Sequence, residues 1–307
     1  MMDNQVDREL LEKIADMLGK PVGSFNIRKD SSCGGRQNTE NIQITDKEDK
    51  PGIDIHIKAG TRGESVHIPV VLTQTGLTDL VYNDFFIGED CDVTIVAGCG
   101  IHNSGDSATE HSGIHAFYVG KNSHVKYVEK HYGEGDGNGE NVMNPTTVVE
   151  LAEGATMELE TTQIKGVDST KRVTNATVAD GASLIIREKL MTHGNQFAES
   201  DFTIDLNGED SSANVISRAV AKGNSRQDFL SRINGNNRCA GHTECDAIIM
   251  DDARVRAVPE ITANHLDAAL IHEAAIGKIA GEQLIKLMTL GLTEQEAEEQ
   301  IVNGFLK

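Results

Sequence analysis

Thiol, imidazole and carboxylate groups crowd into one stretch of this chain, between Cys239 and Gly281. Cys239, His242, Glu244 and Cys245 fall within seven residues, and His272-Glu273 follow further on. These three group types are the common protein ligands of borderline metals. The spacing of Cys239 and Cys245 fits neither a zinc knuckle nor a ferredoxin run. The bland alternative is that both cysteines are small buried hydrophobes and His272 a satisfied strand residue. A second group holds Cys99, His102, His111 and His115, with Glu110 beside them. Soft and imidazole donors around a polar loop suit zinc, iron or copper. The competing reading is a polar insertion whose histidines are solvated. His124 and His131 read as surface residues.

Other chemistries find no support. There is no GxxxxGK[ST] phosphate loop, no GxGxxG, no GxSxG elbow and no HExxH. Gly98-Cys99-Gly100 reads as a turn that lacks a third glycine. Scattered carboxylates could serve sugar hydrolysis, but Trp, the usual sugar platform, is absent. Lys and Arg total 28 against 48 Asp and Glu, a net charge of −20. Such a surface repels phosphate backbones and anionic membranes, so neither nucleic acid nor membrane is an expected partner. The longest apolar run, Ile68–Leu72, is far below a membrane span. The acidic N-terminus does not resemble a signal peptide, and five irregularly spaced cysteines make a poor disulfide framework. A cytoplasmic protein with reduced thiols is the expectation.

The elements that must position these groups are mostly β. Residues 3–18 read as an amphipathic helix on Leu10, Leu11, Ile14, Met17 and Leu18, stopped by Gly19 and Pro21. Residues 28–50 read as a polar loop with weak strand content. From residue 52 a unit recurs: a glycine turn, then alternating apolar residues. Its turn glycines are Gly63, Gly88, Gly120, Gly154, Gly181, Gly208 and Gly241, spaced 25 to 34 residues apart. Repeats of this length built from strands and turns mark a solenoid, because one unit cannot bury its inner face alone. The spacing predicts a parallel β-helix over 51–276, with loop insertions at 102–112 and 132–145; a β-sandwich is the alternative. Near residue 260 the pattern changes. Two helices follow in 277–307, the second opened by a Thr293–Glu296 capping box and closed at Asn303-Gly304. The stretch ALIHEAAIG (269–277) fits either helix or strand; as a strand it would point His272 and Glu273 to opposite faces.

These residues resemble the SufB/SufD family, the core of the SUF machinery that builds iron–sulfur clusters. The matching stretches are VAGCGIHNSGDSATEHSGIHAFYVGKNSHVKYVEKHYG (96–133), SRAVAKGNSRQDF (217–229), GNNRCAGHTECDAIIM ending at Met250, and VPEI (258–261). The most specific is ALIHEAAIGKIAGEQLIKLMTLGLTEQEAEEQIVNGF (269–305).

The resemblance implies a right-handed parallel β-helix flanked by a short N-terminal helix, within 1–50, and a C-terminal helical pair. It makes ALIHEAA a late strand. It implies dimerisation through the last strands, here as a homodimer, and docking of a SufC-like ABC ATPase on the C-terminal helices. Carried over to this sequence, Cys245 and Glu273 match the family's cluster cysteine and its acidic partner, and His272 the adjoining histidine. The implied function is a scaffold for a transient iron–sulfur cluster, not an enzyme, which hands its cargo to apo iron–sulfur proteins. The chain is short and lacks a cysteine between Cys99 and Cys239, so the sulfur-accepting cysteine of larger SufB proteins has no counterpart. It looks like the compact SufB-like protein of minimal two-component systems. The alternatives are a β-helix metalloprotein built on Cys99 and the nearby histidines, or a SufD-like structural partner without its own cluster.

Overall fold

The computed structural model describes residues 5–15 and 23–307. The chain winds as a β-solenoid of about eight turns, with one N-terminal and two C-terminal helices. Each turn contributes one strand to each of two facing sheets. The first sheet stacks Ser32–Gln37, Ser24–Lys29, Arg62–Leu72, Asp92–His102, His124–Glu134, Thr156–Lys165, Ser183–Thr192, Ser211–Ala221, Cys239–Ile249 and Ala268–Gly277. The second runs from Ile42–Asp46 to Arg254–Ala263. Pairing is parallel throughout, except for two antiparallel pairs at the N-terminal end.

Period-two alternation drives this arrangement. Inward residues such as Val66, Ile95, Leu159, Ile186 and Val215 fill one continuous core, while their neighbours face solvent. The turns need positive φ. Gly154 and Gly181 supply it (φ 68° and 62°), and Asp90, Asn122 and Asp210 occupy the matching region at other turns.

Several sequence expectations need correction. Residues 28–50 are not a loop: they contain the end of the Ser24–Lys29 strand, Ser32–Gln37 and Ile42–Asp46, whose polar residues sit at outward and edge positions. The insertions at 102–112 and 132–145 are partly strand, in Thr109–Val119, His124–Glu134 and Asn141–Met143. Gly241 is not a turn glycine but an inward strand residue; a Cβ there would lie 2.7 Å from Leu270 Cδ2. Gly98 and Gly100 also lie in a strand. Helix α1 (Gln5–Ala15) packs over them, and a Cβ on Gly98 would lie 2.6 Å from the Ile14 carbonyl oxygen. The strand pattern does not end near residue 260 but continues to Gly277. Met17, Leu18, Gly19 and Pro21 lie outside the described residues.

Helix α2 (Gly281–Thr289) buries no residue, and Ile285, Met288 and the adjoining Leu290 are exposed. Helix α3 (Glu294–Phe305) carries the expected capping box at Thr293 and Glu296, but runs through Gly304 rather than closing there. Its Val302, with Leu306 just beyond, packs on Val220 of the first sheet.

At the C-terminal end of the solenoid, Arg254–Ala263 and Ala268–Gly277 are the edge strands of the two sheets. Nothing among the described residues covers them, and they expose Ile261 (43%) and Ile271 (56%). A long apolar edge with free N–H and C=O groups is a template for pairing.

Candidate functional site

Strand register places the candidate ligands row by row. One inward row of the first sheet reads Ile68, Ala97, Glu129, Thr161, Glu188, Ser217, Cys245 and Ala274. The row beside it reads Val66, Ile95, Tyr127, Leu159, Ile186, Val215, Thr243 and His272. Cys245 and His272 are therefore diagonal neighbours on the inner face of the last two strands. Strand spacing and rise put their Cα atoms about 8 Å apart.

Cys245 is 1% exposed. Burial, then the charges of Glu188 and Asp246, push its thiol up to about 12. A metal that takes this sulfur must displace a proton. His272 ends its row beside Thr243, and its Nδ1 is buried without a hydrogen-bond partner. A buried imidazole nitrogen left unpaired costs free energy and is available to a ligand.

Glu273 faces the other way. It pairs in register with Glu244 on the outer face, and its Oε2 lies 3.6 Å from His242 Nε2. The edge strand thus divides the implied set, with Cys245 and His272 inside and Glu273 outside. His242 and Glu244 join Glu273 instead.

The Cys99 group is also divided. Cys99, His111 and His115 are buried and line one small cavity with Glu129 and His131. They belong to strands, not to a flexible loop. His102 lies on the opposite face from Cys99, with Nδ1 3.5 Å from Glu134. Glu110 is also on an outer face and accepts from Ser112 and Asn144. His131 is not a surface residue: it is 5% exposed, beside Glu129 and Arg172.

These lumen groups form a connected polar network. Tyr127 donates to Glu129 (2.9 Å), so its hydroxyl oxygen accepts from His115 Nδ1 (2.7 Å). Nε2 of His115 then accepts from Asn83 (3.2 Å). Both ring nitrogens are engaged in the neutral form, and burial moves the His115 pKa down to about 4. Burial would raise the Glu129 pKa, but the Arg172 charge and then His131 hold it well below the ordinary value. Arg172 donates to Glu129 at 2.5 Å, and its Nε lies 4.0 Å from Glu188. Glu188 accepts from Ser200 (2.6 Å) and Ser217 (2.7 Å), and Ser217 is the register partner of Cys245. Nearer the N-terminus, Asp79 accepts from His111 Nδ1 (3.0 Å) and pairs with Arg28 (2.6 Å). Burial opposes the charge of Asp79, but hydrogen bonds from His111, Arg28 and Ser31 keep its pKa well below the ordinary value. Burial raises the Cys99 thiol well above its usual range, so it is protonated at neutral pH.

Sequence reasoning missed Tyr127, Glu129, Arg172 and Glu188 because isolated polar residues in alternating strands carry no spacing signal. Their shared inward parity was the available clue.

Residues 82–305 match the family described as SUF system FeS cluster assembly, SufBD core domain. The chain is 28% identical to an iron–sulfur cluster assembly SufBD family protein of Methanocaldococcus jannaschii, covering 97% of this chain and 96% of that one. It is 29% identical to one from Archaeoglobus fulgidus, over 87% of this chain and 71% of the relative. It is 27% identical to one from Pyrococcus horikoshii, over 94% and 88%. With a solenoid core, buried Cys245 and half-buried His272 at its open end, and a family match over most of its length, this chain belongs to the SufBD family of iron–sulfur cluster assembly proteins.

Proposed function

We propose that this protein is a scaffold, not an enzyme, on which a transient iron–sulfur cluster is assembled and passed to apo proteins. One observation carries the reading: Cys245 and the unpartnered His272 share the inner face of the two strands at the uncovered end of the solenoid. Thiolate and imidazole are natural iron ligands. Glu273, one residue from His272 on the same edge strand, is the third candidate. One thiolate per chain is too few for a four-cysteine cluster site. A second copy docked on the edge strands doubles the set, and mixed ligation suits a cluster that must leave.

The exposed edges and the residues Ile261 and Ile271 support a homodimer there. The exposed apolar face of α2 supports docking of a SufC-like ABC ATPase, whose nucleotide cycle would shift the interface between closed and open populations. Reduced thiols fit work in the cytoplasm. A metalloprotein site on Cys99 is less well supported: both His115 nitrogens are engaged, and His102 points away.

The test is anaerobic reconstitution with ferrous iron and sulfide, followed by incubation with an apo-ferredoxin. The expected result is a visible cluster chromophore that moves to the ferredoxin. Failure to acquire iron and sulfide in stoichiometric amounts would overturn the reading.

A further inference from the structure

The outer face of the last two strands carries a donor set distinct from the inner thiol. His242 and Glu244 alternate on Cys239–Ile249, so both point outward, and Glu273 on the edge strand is the register partner of Glu244. One ligand atom from each of the three lies within 4.8 Å of the others. Bonds of about 2.1 Å to a common ion need ligand atoms about 3–4 Å apart. His242 Nε2 and Glu273 Oε2 are already 3.6 Å apart. Glu273 is exposed and free to adjust by rotating its side chain.

A further observation points the same way. His242 Nδ1 lies 3.1 Å from Asn214 Oδ1 on the preceding strand. The amide oxygen accepts from Nδ1–H, which leaves the Nε2 lone pair facing the two carboxylates. Metal-binding histidines are characteristically held this way, with the second nitrogen donating to a fixed oxygen.

We propose that His242, Glu244 and Glu273, with Asn214 as the positioning residue, form a binding site for a divalent borderline cation, with ferrous iron as its physiological occupant. One imidazole and two carboxylates suit Fe²⁺, Mn²⁺ or Zn²⁺ and leave positions for water. The choice of iron rests on the scaffold reading; the site itself does not. Cys245 and Glu244 are adjacent residues on opposite faces of one strand, so the outer site would hold iron next to the inner thiol. In a dimer formed through these edges, that would place an ion store at the interface.

The experiment is anaerobic equilibrium dialysis of the full chain with Co²⁺ and, separately, Fe²⁺. Millimolar magnesium suppresses weak binding to exposed acidic groups. The Cys245→Ser background removes the inner thiolate. The expected result is one equivalent bound per chain in Cys245→Ser, without a cobalt–thiolate charge-transfer band. His242→Ala should weaken binding at least tenfold, and Asn214→Ala about tenfold. Circular dichroism confirms that each variant is folded. Undiminished binding in a folded His242→Ala/Glu273→Gln double variant would overturn the proposal, as would loss of all binding in Cys245→Ser. Failure of cluster loading by the wild type, with dialysis unchanged, would instead sink the scaffold reading and leave this site standing.

Discussion

A difference titration isolates the Cys245 thiol. Thiolate absorbs in the ultraviolet where thiol does not, and subtracting Cys245→Ser from the wild type cancels the other four cysteines. Burial beneath the edge strand and the Glu188 carboxylate push Cys245 from 9.0 to about 12. At pH 10 an ordinary thiol is about 90% thiolate, whereas Cys245 would be about 1%. The difference signal should therefore stay flat through pH 9–10 and rise only above it. Glu188→Gln should bring the rise to lower pH, because Glu188 is the largest charged contributor. The displacement corresponds to about 4 kcal/mol against the thiolate. A metal binding through this sulfur at pH 7 is then about 10³-fold weaker than at an ordinary thiol, and it releases one proton per chain. The folded pKa is raised, so the contribution to stability is whole below pH 9 and is lost as pH rises toward 12. A difference signal with its midpoint near pH 9 would refute the claim that Cys245 is a buried, protonated resting thiol.

Three other outcomes are expected. Arg172→Met leaves Glu129 and Glu188 buried without their cation and should cost about 3–5 kcal/mol in urea unfolding, with Glu129→Gln restoring part of it; a loss under about 1 kcal/mol would contradict the buried pair. His115 is neutral in the fold with its pKa down at about 4, so its contribution is whole above pH 6.5 and is lost as pH falls toward 4. That loss is about 3 kcal/mol, and unfolding curves of His115→Gln should be flatter across the window; identical slopes would refute the assignment. Ile271→Asp on the exposed edge should leave the chain folded and shift light-scattering mass to that of a monomer; an unchanged dimer mass would place the interface elsewhere.

The solenoid was legible because alternation and turn spacing repeat often enough to outweigh local irregularity. Val66, Ile68 and Val70 or Leu184 and Ile186 announce an inward face without any tertiary information. The N-terminal strands were hidden because Ser32–Gln37 is an edge strand that buries nothing. Gly241 was misread because glycine serves turns and close inner packing alike. Residue types drew attention to Cys245, His272 and Glu273, but which of them meet depends on register between strands some thirty residues apart. Cys245 opposes Ala274, not Glu273, so the implied trio is split across the sheet. The same register unites His242, Glu244 and Glu273, a grouping that spacing along the chain does not show. His131 looked superficial because nothing local reveals that its strand is paired on both sides and its parity is inward.

The most direct test of the scaffold claim is Mössbauer spectroscopy of anaerobically reconstituted wild-type protein beside Cys245→Ser. A scaffold holding its cluster through Cys245 predicts cluster iron in the wild type. The variant should show only high-spin ferrous iron bound by nitrogen and oxygen. The same cluster spectrum at the same occupancy in Cys245→Ser would contradict it.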